Sequence, residues 1–216
     1  MQLGVIFDMD GVLVDTYHAH YQSWLALAEQ EDLSFTEDQF APTFGRTSRE
    51  IIAHFWGAGL SDRRIAEMAA AKEEAFRRII ADDFPAMPGA RQLIDRLADD
   101  GFALAVGSSG PPENVALVLE KLGVRDRFKA VVTGMDVTRG KPDPQVFLIA
   151  AERLDTVPAA CAVVEDAPAG VAAARAAGMK AIGLVSTGRT PEELRDAHLM
   201  VHHLSDLTPQ RLREVF

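Results

Sequence analysis

Between Pro88 and Val185, short apolar runs alternate with helix-like segments, and this alternation constrains the fold more than any other feature of the chain. Phe102 to Val106, Ala130 to Thr133, Ala160 to Val164 and Lys180 to Val185 read as buried strands. Pro88 to Asp100, the segment ending at Gly123, Pro142 to Leu154 and the Ala-rich Pro168 to Gly178 read as helices between them. Proline near the start of such a segment and glycine just past its end mark the boundaries. Val5-Ile6-Phe7 supplies one more short strand at the N-terminus, running directly into Asp8-Met9-Asp10-Gly11. Strand and helix in alternation predict an α/β fold, a doubly wound parallel sheet of Rossmann-like type with helices on both faces.

The stretch from about Thr16 to Ala81 breaks the alternation. Trp24, Leu25, Leu27 and Ala28 form one apolar stripe, and Ile65, Met68, Ala69, Lys72, Phe76 and Ile79 define a second helix face at three- and four-residue spacing. No strand is expected there, and Phe40 to Arg46 reads as a loop. The predicted organisation is an α/β core made of residues 1–15 and 85–216, interrupted by an inserted α-helical domain at 16–84.

Composition excludes several functions. Of 216 residues, 48% are apolar and 25% charged, enough apolar material for a packed core and unlike a disordered chain. Acidic residues outnumber basic ones 32 to 22, and a net charge of −10 argues against nucleic-acid binding, which needs a basic face. No apolar run approaches the ~18 residues needed to span a bilayer, and no membrane association is expected. The N-terminus lacks the basic start of a signal peptide. The one cysteine, Cys161, cannot form an internal disulfide and sits within a predicted strand as core packing, which fits a cytoplasmic setting. Nothing in the sequence fixes the oligomeric state or a protein partner, and a monomer is the simplest expectation.

In open α/β sheets, ligands bind outside the carboxyl ends of the strands. The residues following the predicted strands are Asp8 and Asp10, then Ser108, and finally Glu165 and Asp166, with Lys141 in a further loop. Carboxylates converging from separate strand ends repel one another unless a divalent cation lies among them. An all-oxygen set of this kind suits Mg²⁺, which keeps waters and shares phosphate oxygens with a substrate. Lys141 then makes sense as a second positive charge on a phosphate. In an extended segment residues i and i+2 share a face, so Asp8 and Asp10 can address one substrate from one side. One carboxylate of the pair can attack phosphorus and the other can handle the proton of the leaving oxygen.

In these residues the chain resembles the haloacid dehalogenase superfamily, in particular its Mg²⁺-dependent phosphotransferases with a helical cap. The resemblance rests on Asp8-Met9-Asp10-Gly11-Val12, on Ser108 after Ala105-Val106-Gly107, on Gly140-Lys141-Pro142-Asp143-Pro144, and on Val164-Glu165-Asp166-Ala167-Pro168-Ala169-Gly170. It implies Asp8 as nucleophile and Asp10 as general acid/base, with the Asp10 main-chain carbonyl also on the metal. It further implies that Ser108 binds the transferring phosphate, that Lys141 neutralises the phosphate and Asp8, and that Glu165 and Asp166 complete the metal site. Simpler roles compete with some of these. Ser108 could cap the following helix, Asp15-Thr16 could cap the first helix of the insert, and Gly107, Gly110 and Gly170 could serve packing or turns.

Within that superfamily the resemblance is closest to the β-phosphoglucomutase-like subgroup. It implies that Thr16, His20, Arg49 and Lys72 of the cap face a substrate, with Arg46 in the same loop as Arg49, and Ser109 beside the motif serine as a further substrate contact. Solvated helix faces are the competing role for Arg49 and Lys72. His18 and His20 lie on different helix faces, a poor metal pair, and His202-His203 reads as surface. One departure counts against a strict mutase: Ser109-Gly110-Pro111-Pro112 stands where the mutase pattern has polar residues that grip a second phosphate; Asn114 could substitute, but two extra residues precede it. The expectation is therefore a Mg²⁺-dependent phosphatase of small phosphorylated metabolites, sugar phosphates above all. The alternative is a β-phosphoglucomutase that returns the phosphoryl group to a sugar hydroxyl. A dehalogenase would need neither the metal set nor Asp10. A receiver-type switch would carry its acceptor aspartate on a middle strand and lack the insert.

Overall fold

Six strands form one parallel sheet: β1 (Gly4–Phe7), β2 (Ala103–Gly107), β3 (Ala130–Val132), β4 (Cys161–Glu165), β5 (Lys180–Leu184) and β6 (Leu199–Val201), in the order β3-β2-β1-β4-β5-β6. This computed structural model describes residues 2–216. The helices, in chain order, are α1 (Tyr17–Gln30), α2 (Glu37–Phe40), α3 (Ser48–Trp56), α4 (Asp62–Asp82), α5 (Ala90–Asp99), α6 (Pro112–Leu122), α7 (Gln145–Leu154), α8 (Pro168–Ala176) and α9 (Pro209–Arg213). The chain divides into two compact units, one running to Asp15 and resuming over Ala86–Phe216, the other Thr16–Pro85. Among the described residues no helix is long and apolar enough to cross a membrane.

The sheet is buried on both faces. Val5, Ile6 and Phe7 of β1, and Cys161, Ala162, Val163 and Val164 of β4, are fully covered. Such near-continuous apolar strands belong to sheets sandwiched between helix layers. Phe147, Ala150 and Leu154 of α7 and Val171 and Ala174 of α8 pack with Ile6, Ala105 and Val163 in one cluster. Each large apolar side chain so buried contributes about 1.5–3 kcal/mol.

Register positions the site. Phe7 pairs with Val106 of β2 and with Val164 of β4. The residues that leave these strands therefore emerge side by side: Asp8 from β1, Ser108 from β2, Glu165 and Asp166 from β4. Strand order also reverses at β1, with β2 on one side and β4 on the other, and a crevice at such a switch point is where open α/β sheets hold ligands.

The helical unit has its own core, in which Trp24, Leu27 and Ala28 of α1 meet Ile51 and Ile52 of α3, Met68 and Ala69 of α4, and Phe35, Phe40 and Phe44. Thr36 and Thr47 start α2 and α3 with capping boxes, and the Ser61 hydroxyl accepts the Arg64 N–H at the start of α4.

Two sequence expectations are corrected, and one element is added. The helix expected from Pro142 begins at Gln145, because Asp143 Oδ1 accepts the Gln145 N–H at 3.0 Å and holds 142–144 as a loop. Thr16 stands at the N-cap of α1, but its hydroxyl makes no capping bond; its carbonyl accepts the His20 N–H at 2.8 Å. The sheet also continues past Val185 into β6, a three-residue edge strand followed by α9.

Candidate active site

Asp8 extends the β1 ladder by one residue, its N–H donating to the Val164 carbonyl at 2.9 Å. The chain then turns sharply, with the Leu13 N–H on the Met9 carbonyl at 2.8 Å and the Gly11 N–H on the Val14 carbonyl at 2.9 Å. Gly11 has φ +73°, and a β-carbon there would lie 2.0 Å from Asp166 Oδ2. Glycine is required twice over, for the left-handed backbone and for the space that the Asp166 carboxylate fills.

Lys141 stands between two carboxylates. Its Nζ donates to Asp8 Oδ1 at 2.6 Å and to Glu165 Oε1 at 2.7 Å, and it lies 4.9 Å from the centre of the Phe147 ring. The other Glu165 oxygen accepts the Ala167 N–H at 2.7 Å. The loop that delivers Lys141 is pinned by Gln145, whose Oε1 accepts the N–H groups of Thr138 at 2.9 Å and Arg139 at 3.1 Å. Asp166 Oδ2 accepts the Ser186 hydroxyl at 2.8 Å, and Arg189 Nε lies 3.8 Å from the same oxygen.

Asp8, Glu165 and Asp166 are all buried, and one oxygen from each lies within 4.8 Å of the others. Burial pushes Asp8 well above the ordinary carboxylate range, and Glu165, Asp10 and Asp166 push it further against the pull of Lys141. Burial and then Glu165 raise Asp166 to about 7, opposed by Arg189 and the Ser186 hydroxyl. Burial alone would lower the Lys141 ammonium, but Asp8 and Glu165 outweigh it and hold the lysine above its ordinary value. Three buried carboxylates against the Lys141 ammonium and the Arg189 guanidinium leave negative charge uncompensated, and an all-oxygen donor set of that sign fits a hard divalent cation. The Asp10 carboxyl stands outside this trio.

Ser108, at the end of β2, is fully buried. Its N–H donates to the Val132 carbonyl at 3.0 Å, and its hydroxyl accepts the Gly110 N–H at 3.0 Å. The hydroxyl therefore closes a local turn and does not cap α6, whose N-cap is Pro111. Ser109 follows, half-buried, on a turn that the Gly134 N–H ties down through the Gly110 carbonyl at 2.9 Å.

In the helical unit, Lys72 Nζ lies 2.6 Å from His20 Nδ1 and 3.1 Å from Glu73 Oε1, and Glu73 also accepts the Ser48 hydroxyl. The His20 ring stacks on Phe76 with centroids 4.0 Å apart. Thr16 and Lys72 are buried, while Arg46 and Arg49 are exposed. His202 and His203 are exposed, and Cys161 is buried with its thiol pushed up by burial.

The structure thus brings Asp8, Lys141, Glu165 and Asp166 into contact range and sets Ser108 on the neighbouring strand end. His20 and Lys72 form a pair of their own. Sequence reasoning missed Ser186, Arg189, Gln145 and Glu73. Ser186 had a signal, since it follows the apolar run ending at Val185 as Asp8 follows the run ending at Phe7.

A sheet of this order with four strand-end loops carrying these residues defines an enzyme of the haloacid dehalogenase type. The family model for haloacid dehalogenase-like hydrolases matches residues 3–178, and the chain belongs to that family. It is 36% identical to the beta-phosphoglucomutase of Bacillus subtilis over 97% of this chain and 93% of that protein. It is 34% identical to hexitol phosphatase A of Escherichia coli, over 95% of this chain and 93% of the relative. The crystal structure of a beta-phosphoglucomutase from Clostridium difficile superposes with a TM-score of 0.89 at 26% identity, covering all of this chain and 97% of the other.

Proposed function

We propose that this enzyme is a Mg²⁺-dependent phosphohydrolase of small phosphorylated metabolites, with sugar phosphates as the substrate class and the cytoplasm as its setting. The observation that carries the reading is Lys141, clamped between Asp8 and Glu165 beside Asp166. That arrangement keeps a buried carboxylate oxygen at the end of β1 with a cation beside it.

In the first half-reaction an Asp8 oxygen attacks phosphorus, the bond from phosphorus to the substrate oxygen breaks, and Asp10 gives its proton to that leaving oxygen. Asp10 then takes a proton from water, the water oxygen attacks the aspartyl phosphate, and the bond from phosphorus to Asp8 breaks. Inorganic phosphate leaves, with Asp8 again a carboxylate and Asp10 again protonated. Lys141 stabilises the charge on the phosphoryl oxygens, and Ser108 holds one of them. Asp8, Asp166, Glu165 and the Asp10 main-chain carbonyl would hold the metal. When bound, Mg²⁺ supplies the positive charge that lets an anionic phosphate approach these carboxylates. Thr16, His20, Arg49, Lys72 and Ser109 select the substrate.

A second reading, a β-phosphoglucomutase, draws support from the similarity to the Bacillus subtilis enzyme of that name. The Gly110-Pro111-Pro112 stretch weighs against it, having no side chain that could grip a second phosphate. The test is phosphate release from a panel of sugar phosphates with Mg²⁺, run beside β-glucose 1-phosphate with a bisphosphate primer. Release from several sugar phosphates supports the hydrolase; efficient formation of glucose 6-phosphate with little release makes it a mutase.

A further inference from the structure

The segment after β5 carries two consecutive hydroxyls that reach different parts of the core unit. The Ser186 hydroxyl donates to Asp166 Oδ2 at 2.8 Å, and the Thr187 hydroxyl donates to Asp15 Oδ2 at 2.6 Å. Arg189, two residues on, brings its Nε to 3.8 Å from the Asp166 oxygen that Ser186 already holds. Asp166 belongs to the buried acidic trio. Asp15 is the last residue of the core unit before the chain enters the helical unit at Thr16. Its second carboxylate oxygen is buried with no hydrogen-bond partner, so the anchoring hydrogen bond of this side chain is the one from Thr187.

We propose that Ser186 and Thr187 are positioning residues that join the acidic centre to the exit of the chain from the core. Ser186 fixes the rotamer of Asp166, and Thr187 fixes Asp15. Because the two hydroxyls are adjacent on a short loop, ordering one orders the other. A cation held by Asp166 therefore tightens the segment around Asp15 as well. The inference rests on the reading above that the acidic centre takes a divalent cation. Partners of metal-ligating carboxylates typically change metal affinity by about 10–100-fold when removed. The Thr187 contact touches no member of the trio, so its loss should weaken affinity only through the coupling itself, by no more than the factor by which Mg²⁺ slows exchange around Asp15.

The test uses metal-stripped full-length protein, titrated calorimetrically with Mg²⁺, together with amide hydrogen exchange over residues 13–18 with and without Mg²⁺. Wild type should bind Mg²⁺ and show slower exchange at 13–18 when it is present. Ser186→Ala should bind Mg²⁺ about tenfold more weakly, at the low end of that range, and Ser186→Thr, which keeps the hydroxyl, should restore it. Thr187→Val should weaken Mg²⁺ binding less than Ser186→Ala does, by no more than the wild-type slowing factor, and should lose the slowing at 13–18, and Thr187→Ser should regain it. Ser186→Ala binding as tightly as wild type, or Thr187→Val slowing as wild type does, would overturn the proposal. A wild-type protein that binds no Mg²⁺ fails at an earlier step: it sinks the metal-dependent reading of the site, and this bridge with it.

Discussion

Gly170 lies against the Glu165 carboxylate so closely that a β-carbon on it would sit 1.7 Å from Oε1 and 1.9 Å from Cδ. Glu165 cannot swing aside freely, because Lys141 holds one oxygen and the Ala167 N–H the other. The glycine in the first turns of α8 is therefore a clearance for the residue that holds the lysine. Ordinarily Gly→Ala inside a helix gains up to about 1 kcal/mol. Here the gain meets a forced displacement of Glu165 and with it of Lys141. Gly170→Ala should change Tm by only a few degrees in either direction, yet lower kcat at least tenfold. A variant with unchanged kcat would show that the Glu165–Lys141 geometry is not needed in turnover.

Asp8→Asn should abolish phosphate release with Mg²⁺ present. An amide nitrogen or oxygen is a poor nucleophile toward phosphorus, and Lys141 pairs with Asp8 and Glu165, not with Asp10. The fold should survive, since burial raises the Asp8 proton affinity and a neutral side chain there relieves repulsion from Glu165 and Asp166. Steady-state assays with protein free of wild-type contamination check this. Residual activity above a few per cent of wild type removes Asp8 from the nucleophile role.

Much of this was readable from the sequence because the chemistry sits on strand ends. The runs ending at Phe7, Val106 and Val164 announce buried strands, and the polar residues after them must then face one edge of the sheet. The same rule applied after Val185 would have found Ser186. Other features had no local signal. β6 is three residues long with two of them half-exposed, so no alternation marks it. Gln145 reads as an ordinary first-turn helix residue, and its work depends on the chain at 138–139 folding back onto it. Gly170 reads as a small residue in an Ala-rich helix, and only the position of the Glu165 side chain makes it indispensable. Thr16 has the right identity and position for a cap, but its hydroxyl makes no capping bond to the first turn of α1.

Lys141→Met should lower kcat/KM by at least 100-fold. It also leaves Asp8 and Glu165 facing each other without a cation, and removing one partner of a buried ion pair typically costs about 3–5 kcal/mol. The cost should be visible as a lower Tm in chelator at pH 8 and smaller at pH 5, where the carboxylates can take protons. Equal losses of Tm at both pH values would mean that packing against Phe147, rather than charge, is what the lysine contributes.

The metal-free protein should lose stability as pH rises. Asp166 titrates near 7 in the folded chain, pushed there chiefly by burial and Glu165, and Asp8 is raised as well. Between the ordinary carboxylate range and about 7 the folded state binds more protons than the unfolded one. Stability therefore falls through that window, at about 1.4 kcal/mol for each unit by which a pKa is raised. In chelator, Tm should drop by several degrees from pH 5 to pH 8. Excess Mg²⁺ should restore most of it at pH 8 and little at pH 5, and Asp166→Asn should flatten the chelator profile. A chelator Tm that holds constant or climbs across this range contradicts the electrostatic account of the trio.

Substrate choice should be separable from the acidic centre. Lys72 is buried beneath aromatic rings, its Nζ 5.3 Å from the centroids of both Trp24 and Phe76, and it is bonded to His20 and Glu73. When Lys72 donates to His20 Nδ1, the ring proton sits on Nε2, so one buried lysine sets which histidine nitrogen is a donor. Lys72→Met keeps most of the side-chain volume and removes that control. Arg49 is exposed on α3, and Arg49→Ala should leave Tm within about a degree, as surface substitutions generally do. An arginine offers a fork to an anionic oxygen and a lysine a point charge, so their losses should fall unequally on different substrates. The measurement is kcat/KM for several sugar phosphates and for a small aryl phosphate, with Mg²⁺ affinity followed in parallel. Lys72→Met and Arg49→Ala should each reorder the sugar phosphates by tenfold or more while the aryl phosphate and Mg²⁺ affinity change by less than about threefold. A uniform loss across all substrates would make these residues structural, and no change in either variant would return Arg49 to the role of a solvated surface charge and Lys72 to that of a packing element of the helical unit.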